Sequence, residues 1–313
     1  MPSTSDRTLA RLSRHFRVTG GRGFQLKRFS PDDTRGLKLK DRADVLLEET
    51  AEVMAKLQER LYAQDRWSVL LIFQAMDAAG KDGTIKHVMT GLNPRGCEVH
   101  SFKAPSSEEL DHDFLWRSSV RLPRRGHIGI FNRSYYEEML VVRVHPEILG
   151  RQQLPGDLVT KSIWTERFED VVAYERYLAR QGVVIRKFFL HVSPEEQRQR
   201  FLERLADPAK HWKFSLGDLE ERKLFDDYMR AYDDVIRQTA TPFAPWYVVP
   251  ADHKWFTRLV VASAVIEAIT SVQPGFPVVD AAARRRLAAA EQALRQEIAA
   301  AEAPVGKPRR MRR

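Results

Sequence analysis

The apolar run Leu70-Leu71-Ile72-Phe73 leads through Gln74-Ala75-Met76-Asp77-Ala78-Ala79 to Gly80-Lys81-Asp82-Gly83-Thr84. A helical period begins at once, with Ile85, Val88 and Met89 at i, i+3 and i+4. Strand, small-residue turn, Gly-Lys and helix is the layout of a phosphate-binding P-loop. In such a turn, backbone N–H groups over Ala78, Ala79, Gly80, Lys81, Asp82 and Gly83, with the positive end of the next helix, cradle phosphate oxygens. Lys81 adds a mobile point charge.

The pattern departs from G-x-x-x-x-G-K-[ST] at two places. Ala75 replaces the first glycine, which is tolerable where φ is negative, and Asp82 replaces the hydroxyl that binds magnesium. Asp77 is the natural substitute ligand, since Mg²⁺ takes one or two carboxylates plus substrate phosphates. The plain alternative is a Gly-Lys turn between an ordinary strand and helix.

The chain's 313 residues, 43% of them hydrophobic, support a sizeable core in one large or two small domains. No apolar run approaches the length needed to cross a bilayer, and the polar, basic start shows no signal-peptide pattern. The single cysteine, Cys97, excludes an internal disulfide framework and a cysteine-based zinc cluster. A cytoplasmic protein is expected. Its net charge of +9 suits a polyanionic partner, although part of the excess lies in Arg284-Arg285-Arg286 and in Lys307, Arg309, Arg310, Arg312 and Arg313.

Residues 1–40 read as an irregular basic arm. Leu46, Val53, Leu57 and Leu61 predict a helix from Ala43 to Tyr62. Strands are predicted at 69–74, 98–103, 128–132, 183–192 and 246–250, with helices near 84–90, 107–121, 136–142, 157–180 and 195–206. This alternation predicts a mostly parallel sheet covered on both faces. Residues 207–240, dense in charge and aromatics, read as a helical lid, and 255–269 as a helix returning to the sheet. After Pro274 and Pro277, Leu287, Leu294 and Ile298 mark one face of a final helix, a candidate for oligomer contact.

Beyond the loop, Phe131-Asn132-Arg133-Ser134 ends a strand where P-loop enzymes place a magnesium-binding carboxylate. Asn132 is a weaker neutral ligand; Glu137 restores the charge, and Arg133 suits bidentate phosphate binding. Arg200 and Arg204 share a helix face and, with Lys210 and Lys213, can form a cationic surface over the loop. Arg200 also sits four after Glu196 and three before Glu203, the spacing of ordinary helix salt bridges. Lys103, Arg117 and Arg121 are candidates for contact with a long anion, whereas His112 between two aspartates reads as structural. Asp252 falls at the same carboxyl edge, or caps the next helix.

The loop Gln74–Thr84, the segment Phe131–Ser134 with Tyr136-Glu137-Glu138, residues 208–214 and Ala244–Asp252 together resemble the polyphosphate kinase 2 family. The resemblance spans roughly Leu37 to Val272. It implies a thymidylate-kinase-like P-loop fold, a three-layer sandwich with a five-stranded parallel sheet in residues 41–272, and a helical lid, with 273–313 as an appended helix and tail. It implies Mg²⁺-dependent phosphoryl transfer between inorganic polyphosphate and adenine nucleotides, with guanine left open, in a homodimer or homotetramer, and no nucleic-acid or membrane partner. Asn132 with Glu137 resembles the subgroup acting on both AMP and ADP; Tyr135 departs from the histidine common there. By the same resemblance Asp77 and Glu137 organise magnesium, while Lys81, Arg133 and Arg200 hold phosphates. Two other readings stay open: an ATP-dependent nucleoside monophosphate kinase, and a nucleic-acid-binding P-loop protein that grips through its basic tails.

Overall fold

The computed structural model describes residues 11–302; the basic tail residues Lys307 to Arg313 lie outside them. Residues 11–275 form one unit and residues from Phe276 onward belong to another.

The first unit is built on one sheet of six strands: β1 (Arg17–Val18), β2 (Ser68–Ala75), β3 (Cys97–Ser101), β4 (Ile128–Asn132), β5 (Val183–His191) and β6 (Trp246–Pro250). Their order is β1-β6-β5-β2-β4-β3. The strands from β2 to β6 run parallel, and β2 lies between β4 and β5. Val69 to Phe73 are fully buried, as a central strand covered on both faces requires.

Crossovers cover the sheet. The chain steps from β2 past β4 to β3, and later from β4 back past β2 to β5. Right-handed connections in opposite directions place their helices on opposite faces. Helix α1 (Ala43–Gln64), α2 (Lys81–Met89) and α7 (Lys254–Thr270) pack together on one face. Across the sheet, α3 (Ile163–Arg180) packs on β5 and on α6 (Phe225–Thr239). Helix α4 (Pro194–Ala206) starts after Ser193, whose hydroxyl accepts from the Glu196 N–H, with Pro194 in the first turn. Helix α5 (Leu216–Lys223) directly precedes α6.

The sheet is mixed and six-stranded, correcting the expectation of five parallel strands. Strand β1 pairs antiparallel with β6, Arg17 opposite Tyr247 and Val18 opposite Trp246. Two residues are too few to show an alternating pattern. The stretch read as an irregular arm also buries Leu12, Phe16, Val18, Phe24 and Leu26 in the core. The predicted helix at 107–121 is two single turns, Ser107–Leu110 and Trp116–Ser119. In the second unit, α8 (Ala281–Glu302) exposes Leu287, Leu294 and Ile298.

Candidate active site

Strand β2 delivers Ala75 to the carboxyl edge of the sheet, where ligands of open α/β sheets bind. Ala75 is absent from the residues with positive φ, so its position needs no glycine. Ala78 and Gly80 do adopt left-handed backbone, at φ 61° and 96°. Glycine takes that conformation freely; an alanine there is strained, and such strain clusters at functional sites. Gly80 caps α2, so the first amides of that helix have no intrahelical acceptor and face the loop.

Two side chains from α4 grip this loop. Arg200, buried, donates through Nη1 to the carbonyls of Ala78 (3.1 Å) and Ala79 (2.8 Å). Its Nη2 donates to the carbonyls of Ala251 and Asp252, and its Nε to Glu196 at 2.7 Å. Every N–H of the guanidinium is thereby engaged by protein, so Arg200 holds the loop's main chain at the wall of the cavity. Gln197, one turn earlier, donates to the Asp77 carbonyl at 3.0 Å and accepts from Arg222 of α5 at 2.6 Å.

Opposite the loop, β4 ends at Asn132, whose amide donates to Asp82 at 3.0 Å. Asp82 thus turns toward β4 from the place a magnesium-binding hydroxyl would take. Arg133 has left-handed backbone, φ 64°, and its N–H donates to Phe73 of β2. Its guanidinium stands between Asp77 (3.4 Å) and Glu137 (3.6 Å). Ser134 accepts from the Tyr136 N–H and opens a 3₁₀ turn, Tyr135–Met139, that presents Glu137 to the site. Buried Gln74, with its amide nitrogen toward Glu137, donates to that carboxylate at 2.7 Å and accepts from Ser134.

Burial pulls the Lys81 pKa down, with repulsion from Arg133 next, against Asp77, Glu137 and Asp82. Burial pushes the Glu137 pKa up, while Arg133, Lys81 and the Gln74 hydrogen bond oppose it. Asp218 of α5 is pushed up too, by burial first and then by Asp77. Carboxylates are therefore crowded at this point. The donors of Asp77 and Glu137 are hard oxygens, and a divalent cation there would relieve the crowding, so the residues fit Mg²⁺.

Three cavities meet along this edge. The largest, about 500 Å³, is walled by Met76 to Gly83, Arg200, Glu203, Arg204, Lys210, Trp212, Asp218 and Lys254. A smaller one, about 170 Å³, is shared by Asp77, Arg133, Glu137, Glu221, Tyr228 and Tyr232. The third, about 250 Å³, lies beyond Arg133 and Glu137 and is lined by Phe102, Lys103, Pro105, Phe114, Arg117, Glu138 and Val142 among others. Asp77 borders the first two, and Arg133 and Glu137 border the last two.

The structure thus gathers Asp77 to Gly83, Arg200, Arg204 and Lys210 at the large cavity, and Asp77, Arg133 and Glu137 at the middle one. Lys103 and Arg117 are not at the loop; they line the third cavity, where Arg117 donates to the Lys103 carbonyl at 2.8 Å. Arg121 is exposed on the way to the amino end of β4 and lines none of the three. Lys213 ends the 3₁₀ turn Pro208–Lys213, and its side chain lies outside the described residues. Asp252 accepts from the Ser193 N–H at 2.8 Å, capping no helix of its own. Gln74, Gln197, Lys254 and Tyr232 were missed as site residues. Gln197 alone carried a signal, its three-residue spacing from Arg200 on one helix face.

The chain is similar to several known proteins. The family model described as polyphosphate kinase 2 matches residues 38–276. A relative from Rhodopseudomonas palustris, named ADP-polyphosphate phosphotransferase, is 47% identical over 283 residues, covering 90% of this chain and 98% of its own. One from Meiothermus ruber, named AMP/ADP-polyphosphate phosphotransferase, is 45% identical over 265 residues, covering 84% and 94%. The crystal structure of polyphosphate kinase 2 from Arthrobacter aurescens TC1 superposes with a TM-score of 0.80 at 38% identity, over 89% of this chain and 96% of that one. With its loop after β2, its Asn132-Arg133-Ser134 turn and a match over most of its length, the chain belongs to the polyphosphate kinase 2 family.

Proposed function

We propose that this protein transfers a phosphoryl group from inorganic polyphosphate to adenine nucleotides, forming ATP from ADP and from AMP in successive steps. One observation carries the reading: three contiguous cavities of different character share Asp77, Arg133 and Glu137 at their junctions. The large cavity has an amide-rich loop, Lys81, Arg204, Lys210 and Lys254, which suit a chain of phosphates. The third has Phe102, Pro105, Phe114 and Val142, which suit the apolar face of a nucleoside, with Lys103 and Arg117 for its phosphates. The residues at the junctions are where donor and acceptor phosphates would meet.

Transfer is direct. An oxygen of the acceptor's terminal phosphate attacks the terminal phosphorus of polyphosphate. One P–O bond forms, the bridging P–O bond breaks, and the polymer leaves one unit shorter with the electron pair on its new terminal oxygen. The attacking group is already an oxyanion, so no general base is required. Lys81, Arg133 and the amides heading α2 would hold the equatorial oxygens, and catalysis is positioning and charge stabilisation. Asp77 and Glu137 would hold Mg²⁺, which when bound would supply positive charge against the charge that develops during transfer. The turn Pro208–Lys213 and helix α5 would act as the lid, while Tyr228 and Tyr232 of the core-packed α6 wall the middle cavity. The exposed stripe of α8 is a candidate face for assembly into a dimer or tetramer.

The test is ATP formation, read by luminescence, from purified protein, Mg²⁺ and long-chain polyphosphate with either ADP or AMP and no other donor. ATP from both acceptors is expected. ATP from ADP alone would remove the dual-acceptor reading. ATP from neither, in folded protein, would overturn the polyphosphate donor.

A further inference from the structure

Beneath the turn after β4 lies a buried ion pair that the transfer chemistry does not use. Lys187 of β5 and Glu175 of α3 have fully buried side chains. The Lys187 ammonium donates to Glu175 Oε2 (2.6 Å), to the Tyr136 hydroxyl (2.9 Å) and to the Thr239 carbonyl (2.8 Å). The other carboxylate oxygen, Glu175 Oε1, accepts from the hydroxyls of Tyr135 (2.9 Å) and Tyr136 (2.8 Å). All three ammonium protons and both carboxylate oxygens are satisfied.

The partners decide what the pair does. Tyr135 and Tyr136 stand between Arg133 and Glu137 in the chain, so anchoring their hydroxyls fixes the turn that presents both site residues. Arg133 sits in a left-handed conformation that persists only when its surroundings over-determine it. Thr239 is the last residue of α6, whose Tyr228 and Tyr232 wall the middle cavity from the other side. A cation at that carbonyl also complements the negative end of the helix. Trp246 of β6 reinforces the same point, its Nε1 donating to Thr239 Oγ1 at 2.9 Å. One ammonium group therefore holds the two elements that bracket Asp77, Arg133 and Glu137. Stability alone is a poor account of such a pair, because buried ion pairs can often be replaced by apolar groups with little or no loss.

We infer that Lys187 and Glu175 are positioning residues for phosphoryl transfer, setting Arg133 and Glu137 against helix α6. This rests on the polyphosphate-to-nucleotide reading for its kinetic readout, and on the fold alone for its exchange readout.

Two variants test it. In E175Q/K187M both charges go together, so neither is stranded. In Y135F/Y136F the ion pair stays and its hold on the turn is cut. Each is compared with wild type for thermal midpoint, kcat, KM for ADP and for polyphosphate, and amide hydrogen exchange. The expected result is a kcat at least tenfold lower with both KM values within threefold. Exchange over residues 133–140 is expected to be at least tenfold faster, with that of β2 unchanged. A kcat within threefold of wild type, or unchanged exchange in the turn, overturns the inference. So does failure of both variants to fold, which would leave the pair a stabilising role only. Should wild type form no ATP, the function reading fails, and the exchange data still decide this one.

Discussion

The loop after β2 and the turn after β4 face each other across Arg133, yet they are held in opposite ways. The loop is gripped by its main chain: Arg200 and Gln197 reach the carbonyls of Asp77, Ala78 and Ala79, and Ala78, Ala79 and Gly80 contribute little side chain. The turn is gripped by its own side chains, with Tyr135 and Tyr136 on Glu175 and Glu138 on Arg167 and Gln152. A main-chain grip constrains shape and leaves amides free for phosphate. A side-chain grip constrains residue identity and leaves Arg133 and Glu137 aimed. Damage to the two halves should therefore look different.

The largest effect is expected at Lys81, the loop half's one mobile charge. Lys81→Ala should lower ATP formation by roughly 10²–10³-fold, the usual cost of removing a preorganised charge. Its thermal midpoint should stay or rise, because desolvation disfavours the charged form of this half-buried lysine. A loss under tenfold would mean the helix amides alone do the work of the loop.

Arg200 separates fork from charge. Arg200→Lys keeps the cation but cannot reach carbonyls of both Ala78–Ala79 and Ala251–Asp252. It should lose about 2–4 kcal/mol in denaturant unfolding and about 10²-fold in kcat through misplacement of the loop. Near-normal activity in the lysine variant would show that charge, and not the tether, is what matters.

Gln74 belongs to the turn half and tunes Glu137. Its hydrogen bond favours the ionised carboxylate, and burial opposes ionisation. In the magnesium-free protein Glu137 should accordingly ionise above the ordinary glutamate range, read by NMR titration of its carboxyl carbon. In Gln74→Leu the ionised form loses a donor, so this ionisation should move up by about one pH unit. An ionisation that stays put or moves down would remove Gln74 from the control of Glu137. Lys210, exposed and paired with Asp207 at 2.8 Å, should matter least. Lys210→Ala should raise the polyphosphate KM by about two- to fivefold, less at high salt, with kcat unchanged. A kcat defect there would extend the site to its rim.

What could be read from the sequence was what lies close together in the chain. Strand, loop and Gly80-Lys81 are contiguous, and Arg133 and Glu137 are four residues apart, so local pattern was enough for both halves of the site. The tether of Arg200 was hidden, because the Ala78 carbonyl is 122 residues away and the i,i+4 pair with Glu196 explained it equally well. Lys103 and Arg117 were expected to contact a long anion, but which cavity they line was hidden, since a carboxyl edge holds no clue to which side of β4 a loop covers. Lys187 did leave a trace: a lysine inside the apolar run Val183–Val192 is out of place in a buried strand unless it has a partner. That partner, Glu175, could not be picked out among the charges of α3.

The short strand β1 has a consequence for how the molecule is made. Arg17 meets Glu267 across 250 residues of chain, and Val18 pairs with β6, the last strand of the sheet to be made. At roughly 5–20 residues per second, the amino-terminal segment waits on the order of ten to fifty seconds for its docking site to leave the ribosome. When β6 does emerge, it would present an open sheet edge, the feature most prone to pairing with other chains. The segment already waiting is the one that closes it.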